Sequence, residues 1–118
     1  MTIILDHIAL VVADLDKAIA AYEGFLGRKA SGRGAGEARF QLPNMALVLR
    51  APEGEGAQAL RAQLADRGES IVGIAFAVEN LAAAEHSLGR RGLKLSNADG
   101  VLTADPETTA GVNLSFVE

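Results

Sequence analysis

The chain has 118 residues, 49% of them apolar and 22% charged, the make-up of one soluble globular domain with room for a real core. Its net charge is −4, with both signs interspersed and no basic stripe, which argues against a nucleic-acid partner. The absence of cysteine removes disulfides, thiolate nucleophiles and thiolate metal sites together. The longest apolar run, Ile8 to Ala13, is far too short to span a bilayer. The opening Met1-Thr2-Ile3-Ile4-Leu5-Asp6 lacks the basic-then-apolar pattern of a secretory leader. A cytoplasmic protein with no membrane partner is the expectation.

Residues 3–12 read as a strand of β-branched and apolar residues. Asp14 is placed to cap a helix in which Leu15, Ala18, Ile19, Tyr22, Phe25 and Leu26 recur at helical spacing. Gly27 stands where a left-handed stop is wanted. Ser31 to Gly36, with three glycines, reads as a turn or a weak strand edge. Arg39–Leu42 and Ala46–Arg50 read as strands joined by Pro43-Asn44. Glu53 to Gly56 breaks the pattern. A connecting helix is predicted over about 57–67, with Leu60 and Leu64 as its stripe and Gly68 after its end.

The second half replays the first. Ile71 to Val78 is a strand, Asn80 caps a helix carrying Leu81, Ala84 and Leu88, and Gly92 ends it. Leu93–Ser96 and Val101–Ala104 are predicted strands around a turn at 97–100, Asp105 to Gly111 is a loop, and Val112 to Val117 closes the sequence. The repeat is visible residue by residue. Asp6-His7-Ile8-Ala9-Leu10-Val11-Val12-Ala13-Asp14-Leu15 lines up with Val72-Gly73-Ile74-Ala75-Phe76-Ala77-Val78-Glu79-Asn80-Leu81, and Ala46–Arg50 echoes Asn113–Val117. Self-similarity over half the length marks a duplicated unit. The predicted fold class is α+β: a single domain over 1–118 built of two βαβββ modules, at about 1–54 and 71–118, whose mixed sheets surround a concave cleft.

Alternation assigns the faces. Ile8, Leu10, Val12, Leu47 and Leu49 in the first module, and Ile74, Phe76, Val78, Val112, Leu114 and Phe116 in the second, carry the larger side chains and are expected to meet the helices. The opposite faces carry His7, Ala9, Val11, Ala46, Val48 and Arg50, and Gly73, Ala75, Ala77, Asn113, Ser115 and Val117. Small residues on a strand face leave room for close approach. If the sheets curl together, a cleft lined by His7, Ala9, Val48, Arg50, Gly73, Ala75, Asn113 and Ser115 is expected, mostly apolar with a few polar groups, as ligand sites are. The alternative is that neighbouring side chains or a partner subunit fill the same face.

These residues resemble the vicinal oxygen chelate superfamily, which includes glyoxalase I, methylmalonyl-CoA epimerase, extradiol dioxygenases and the bleomycin and fosfomycin resistance proteins. The resemblance covers the whole chain. It is carried by Asp6-His7-Ile8-Ala9-Leu10-Val11-Val12 with Asp14-Leu15-Asp16-Lys17-Ala18, by Tyr22 through Leu26-Gly27, by Leu42-Pro43-Asn44 through Leu49 and Pro52, and by Gly111-Val112-Asn113-Leu114. It implies the fold more strongly than the chemistry, because one scaffold hosts many reactions. In metal-binding relatives, the first and last strands of each half each offer one ligand. The first position matches His7. The other three fall on Val48, Gly73 and Ser115, where relatives usually have Glu, Gln or His, then His, then Glu. A divalent ion poised for Lewis-acid work needs about three protein ligands and an open position. Glycine and valine side chains supply none, and a neutral serine is a feeble one. A relative's carboxylate base is lost with the ligand. A one-residue register slip would flip every face, but Glu118 has the wrong parity to replace Ser115 and Gln41 lies on another strand.

His7 reads either as a packed relic or as a hydrogen-bonding group or weak base toward a ligand. Arg50 reads either as a grip for an anionic group or as a surface arginine at a strand end. Arg33, Glu37 and Arg39 lie where they too could meet a ligand, and His86 reads as solvated surface. The expectation is a metal-independent protein with no cofactor that binds a small organic ligand, and the resemblance implies a homodimer. Two alternatives stay open: a metal-dependent lyase, epimerase or dioxygenase of the same superfamily with a relocated metal site, and a structural or regulatory dimer with no ligand.

Overall fold

The computed structural model describes residues 2–53, 57–109 and 113–118. In chain order the elements are β1 (Ile3–Val11), α1 (Leu15–Leu26), β2 (Gly32–Gly34), β3 (Glu37–Gln41), β4 (Ala46–Arg50), α2 (Ala57–Arg67), β5 (Ser70–Val78), α3 (Leu81–Arg90), β6 (Leu95–Ala98), β7 (Val101–Ala104), a 3₁₀ turn at Pro106–Thr108 and β8 (Leu114–Val117). The fold is α+β, and the βαβββ order occurs twice with α2 joining the copies. By contacts the chain divides into two compact units, Ile8–Val72 and Met1–His7 with Gly73–Glu118. None of the helices among the described residues is long and apolar enough to cross a membrane.

In the unit of residues 8–72, β2, β3 and β4 form an antiparallel ladder, with Arg33 opposite Ala38, Arg39 opposite Val48 and Glu37 opposite Arg50. The Val12 amide donates to the Arg50 carbonyl at 2.8 Å. Helix α1 begins where Asp14, in extended conformation, accepts from the Lys17 amide, and it ends at Gly27, whose φ of 70° is left-handed. Its apolar stripe, Leu15 and Ile19 with the partly buried Ala18, Tyr22 and Leu26, packs on Val12, Ala38, Phe40, Leu49 and Ala51. The large-residue face of this sheet is therefore the helix face, as alternation predicts. The Ser31–Gly36 stretch is an edge strand as well as a turn. Gly36 has a φ of 71°, and a β-carbon there would lie 3.0 Å from Glu53 Cβ, so this turn needs glycine twice over.

In the other unit, β5 and β8 run parallel, β8 and β7 antiparallel, and β7 and β6 antiparallel. Asn80 accepts from the Ala83 amide to start α3. Leu81, Ala84 and Leu88 then pack on Val78, Leu102 and Phe116, with Phe76 and Leu114 partly buried beside them. The Phe76 and Phe116 rings stack at 5.8 Å, adding a specific contact to the area they bury. Helix α3 stops at Arg90, before the expected Gly92. The Leu93 amide reaches back to the Leu88 carbonyl at 3.2 Å, and Gly92 at φ 101° turns the chain.

The predicted strand at 93–96 and turn at 97–100 are displaced toward the C-terminus. The ladder runs from Leu95 opposite Ala104 to Ala98 opposite Val101, leaving a two-residue turn. Asp99 and Gly100 take it with φ of 52° and 76°. An Asp-Gly pair suits the primed hairpin turn that matches strand twist, so pairing continues to the turn itself. Within the expected loop after Ala104, Asp105 accepts from the Glu107 amide and sets the 3₁₀ turn. The expectations for residues 54–56 and 110–112, including Gly111 and Val112, lie outside the described residues.

Two matched caps imply two matched losses. Asp14→Ala and Asn80→Ala should each destabilise by about 1 kcal/mol, lowering the thermal midpoint by several degrees. Phe40→Ala, at a fully buried position, should cost about 3–5 kcal/mol. Thermal and urea melts check all three. Unchanged melts for the cap variants would mean that the side-chain bonds do not hold the helix starts.

Candidate functional site

The predicted site residues differ in what surrounds them. In the unit that contains β5 and β8, Ala75 lies opposite Ser115 in the parallel ladder, and Ser115 lies opposite Thr103 of β7. Facing residues in register point the same way, so Ala75, Ser115 and Thr103 share one face. Gly73 enters beside them. The Ile74 amide donates to the Asn113 carbonyl at 3.0 Å, and a β-carbon on Gly73 would meet that oxygen at 3.6 Å. Ala75 is buried. Gly73 and Ser115 are half-buried, and Asn113 is exposed.

His7 belongs to the same unit. Its Nδ1 lies 2.8 Å from Asp6 Oδ2, and its side chain is 18% exposed. With an ionised carboxylate as acceptor, Nδ1 carries the proton and donates, which leaves the lone pair on Nε2. Sequence patterning assigns Asp6 no such role. The pair joins neighbours on one strand, where alternation sends side chains to opposite faces, so period-2 reasoning does not find it.

In the unit of residues 8–72, Ala9 and Val48 are buried, so neither presents an open surface. Arg50 is half-exposed, and its Nε lies 3.4 Å from Glu37 Oε1, close enough for an ion pair but not aligned as a hydrogen bond. The two face each other across the β3–β4 ladder. Arg50 thus has a carboxylate neighbour already, and the hairpin register from Gln41–Ala46 to Glu37–Arg50 was the signal that could have shown it. Arg33 pairs with Asp16 of α1, which engages another of the candidate ligand contacts within the protein. His86 is exposed on α3, as expected.

Glu118 and Gln41 are both engaged elsewhere, although Gln41 lies opposite Ala46 and so shares the face of Val48 and Arg50. Glu118 Oε2 accepts from the Leu81 amide at 3.4 Å, at the start of α3. The Gln41 amide nitrogen donates to the Leu42 and Met45 carbonyls at 3.0 and 3.4 Å, inside the β3–β4 turn. Among the described residues, no three His, Asp or Glu side chains cluster to hold a metal ion. One imidazole with an adjacent carboxylate already bonded to it does not fit a catalytic divalent ion, which needs about three protein ligands.

Residues 6–110 match the family model described as the glyoxalase/bleomycin resistance protein/dioxygenase superfamily. Methylmalonyl-CoA epimerase from Mycobacterium tuberculosis superimposes with a TM-score of 0.83 at 28% identity, covering 97% of this chain and 86% of that one. A hypothetical protein from Bacillus halodurans has a TM-score of 0.84 at 24% identity, over 98% and 94% of the two chains. A Streptomyces coelicolor methylmalonyl-CoA epimerase variant, in complex with 2-nitronate-propionyl-CoA, has a TM-score of 0.79 at 21% identity, over 95% and 91%. The last two share the fold. No curated protein matches the chain.

The Gly73 position is open enough for a methyl group. Its φ lies outside the left-handed range, and the nearest neighbour of an added β-carbon, at 3.6 Å, is in ordinary contact. Gly73→Ala should therefore shift stability by no more than about 1 kcal/mol, and an interior strand glycine leaves room for a gain. A loss well beyond that in a urea melt would show that Gly73 is required by packing.

Proposed function

Because the chain belongs to the glyoxalase/bleomycin resistance protein/dioxygenase superfamily, we propose that it is an epimerase-type enzyme acting on a carbon acid held as an acyl thioester, with His7 as the proton-transferring group. The methylmalonyl-CoA epimerase at 28% identity over 97% of the chain supports this over a metal-independent binding protein. The carrying observation is the 2.8 Å contact between His7 Nδ1 and Asp6, which holds the imidazole in one tautomer with Nε2 as the basic nitrogen.

The step moves one proton and oxidises nothing. Nε2 takes the α-hydrogen as a proton, and the C–H electron pair forms the Cα–C double bond. The carbonyl π pair moves onto the thioester oxygen, giving an enolate. Return of a proton to the opposite face inverts the carbon. Gly73 and Ser115, in the same unit as His7, contribute no second ionisable group, so the proton returned to the opposite face comes from water, and the hydroxide left behind takes the proton of the imidazolium. No step is assigned to a metal, because the donor set does not fit one.

A second reading, binding without turnover, is favoured by the same three residues, which stand where relatives carry ligands and bases. Methylmalonyl-CoA in D2O with EDTA present separates the readings. Epimerase action predicts deuterium at the α-carbon and loss of stereochemical purity, both unaffected by EDTA. His7→Ala should slow them by about 10²-fold or more, with Asp6→Asn intermediate. Exchange that survives His7→Ala, or that requires an added divalent ion, would refute the assignment. Thermal stabilisation by the thioester with no exchange would establish the binding reading instead.

A further inference from the structure

Helix α3 carries a hollow walled by hydrogen-bond donors. His86, Ser87, Arg90 and Arg91 line about 360 Å³ on its outer side. Their spacing explains why they meet. His86 and Arg90 are four residues apart, as are Ser87 and Arg91, so the pairs form adjacent rungs on one helix face. The buried stripe, Leu81, Ala84 and Leu88, lies elsewhere on the helix. A guanidinium only donates, a hydroxyl can donate, and an imidazole has at least one N–H. Among the described residues, no side-chain hydrogen bond or ion pair engages any of the four. Glu85 is the nearest carboxylate in sequence, but it stands about 100° round the helix from His86, away from both rungs.

Basic residues at a helix end commonly offset the dipole. The guanidinium groups are not needed for that here, because backbone amides cap the end. The Leu88 carbonyl accepts from the Arg91 and Leu93 amides at 3.0 and 3.2 Å, and the Gly89 carbonyl accepts from the Gly92 amide at 3.2 Å. Two adjacent fixed positive charges also repel each other, and they sit together in a chain of net charge −4. What the four groups lack is an acceptor. We propose that this face of α3 binds a phosphoryl dianion, as inorganic phosphate or as the end of a phosphate monoester. The two guanidinium groups match its charge and present paired N–H groups in the geometry that phosphate oxygens accept. The Ser87 hydroxyl and an imidazole N–H of His86 serve the remaining oxygens. The hollow comes from one stretch of one helix, so it fits a single phosphoryl group. Phe76 and Phe116 pack toward α3, which puts the hollow on the far side of β5 and β8 from Ala75 and Ser115. The site is separate from that face, and phosphate binding here does not depend on the reaction proposed above.

NMR of the histidine rings and arginine side chains during a sodium phosphate titration tests it, at neutral pH with ionic strength held constant by sodium chloride. The His86 ring and the Arg90 and Arg91 Nε–H signals should shift together and saturate, while the His7 ring stays still. Arg90→Gln combined with Arg91→Gln should weaken saturation by about tenfold or more. Ser87→Ala should weaken it by a smaller factor. Circular dichroism should be unchanged in both variants, since the arginines are exposed and Ser87 is only half-buried. Adenosine 5′-monophosphate and adenosine identify the source. Tighter saturation by the monoester than by phosphate assigns the site to a monoester, and saturation no tighter assigns it to the free ion. Shifts that never saturate, that chloride or adenosine reproduces, that survive the double arginine substitution, or that appear at His7 instead of His86 would each overturn the proposal.

Discussion

The strands of each βαβββ copy have one face of large side chains that must be covered, and the helix of the same copy covers it. Leu15 and Ile19 on Phe40 and Leu49, and Leu81 and Leu88 on Leu102 and Phe116, are the same device used twice. Burial of this kind is the main favourable term in folding. Once the large residues are committed to the helices, the period-2 geometry of a strand leaves no choice about what the other face carries. Val48 faces away from α1 because Leu47 and Leu49 pack toward it, and Ala75 and Ser115 face away from α3 because Phe76 and Phe116 pack toward it.

That constraint links packing to chemistry. A superfamily that draws its ligands from inward-facing strand positions can lose them without disturbing the cores. Val48 is buried and Gly73 has space for a β-carbon, so neither residue conflicts with the fold. His7 presents an imidazole whose Nδ1 lies 2.8 Å from Oδ2 of the preceding aspartate. Proton transfer needs a base of fixed tautomer and a substrate held against it, whereas Lewis-acid chemistry needs several donors at one point. Among the described residues the second requirement is not met.

Much of the fold was legible in the sequence because its signals are local. Asp14, Gly27 and Asn80 act as caps and stops through their own backbone and side-chain chemistry, and the repeated alternation marked both faces. The misses were also local in origin. The Asp99-Gly100 turn holds the ladder together up to Ala98, a shift that strand propensity alone did not show. In the site, alternation found the faces but not the partners. Asp6 beside His7 breaks the alternation rule, and Glu37 meets Arg50 only through the register of a hairpin. Contacts set by pairing register, or by neighbours turning toward each other, are invisible to periodicity.

Two features of His7 bear on the proposed chemistry: among the described residues no companion donors cluster with it, and its Nδ1 lies 2.8 Å from Asp6 Oδ2. Long-range ¹H–¹⁵N NMR of the imidazole, assigned with the help of His86→Gln, reads both at once during a zinc titration. The expected result is a proton on Nδ1 of the neutral ring and ring signals that do not move at one equivalent of zinc. A stoichiometric shift of the His7 ring nitrogens, with further carboxylates responding in step, would contradict it.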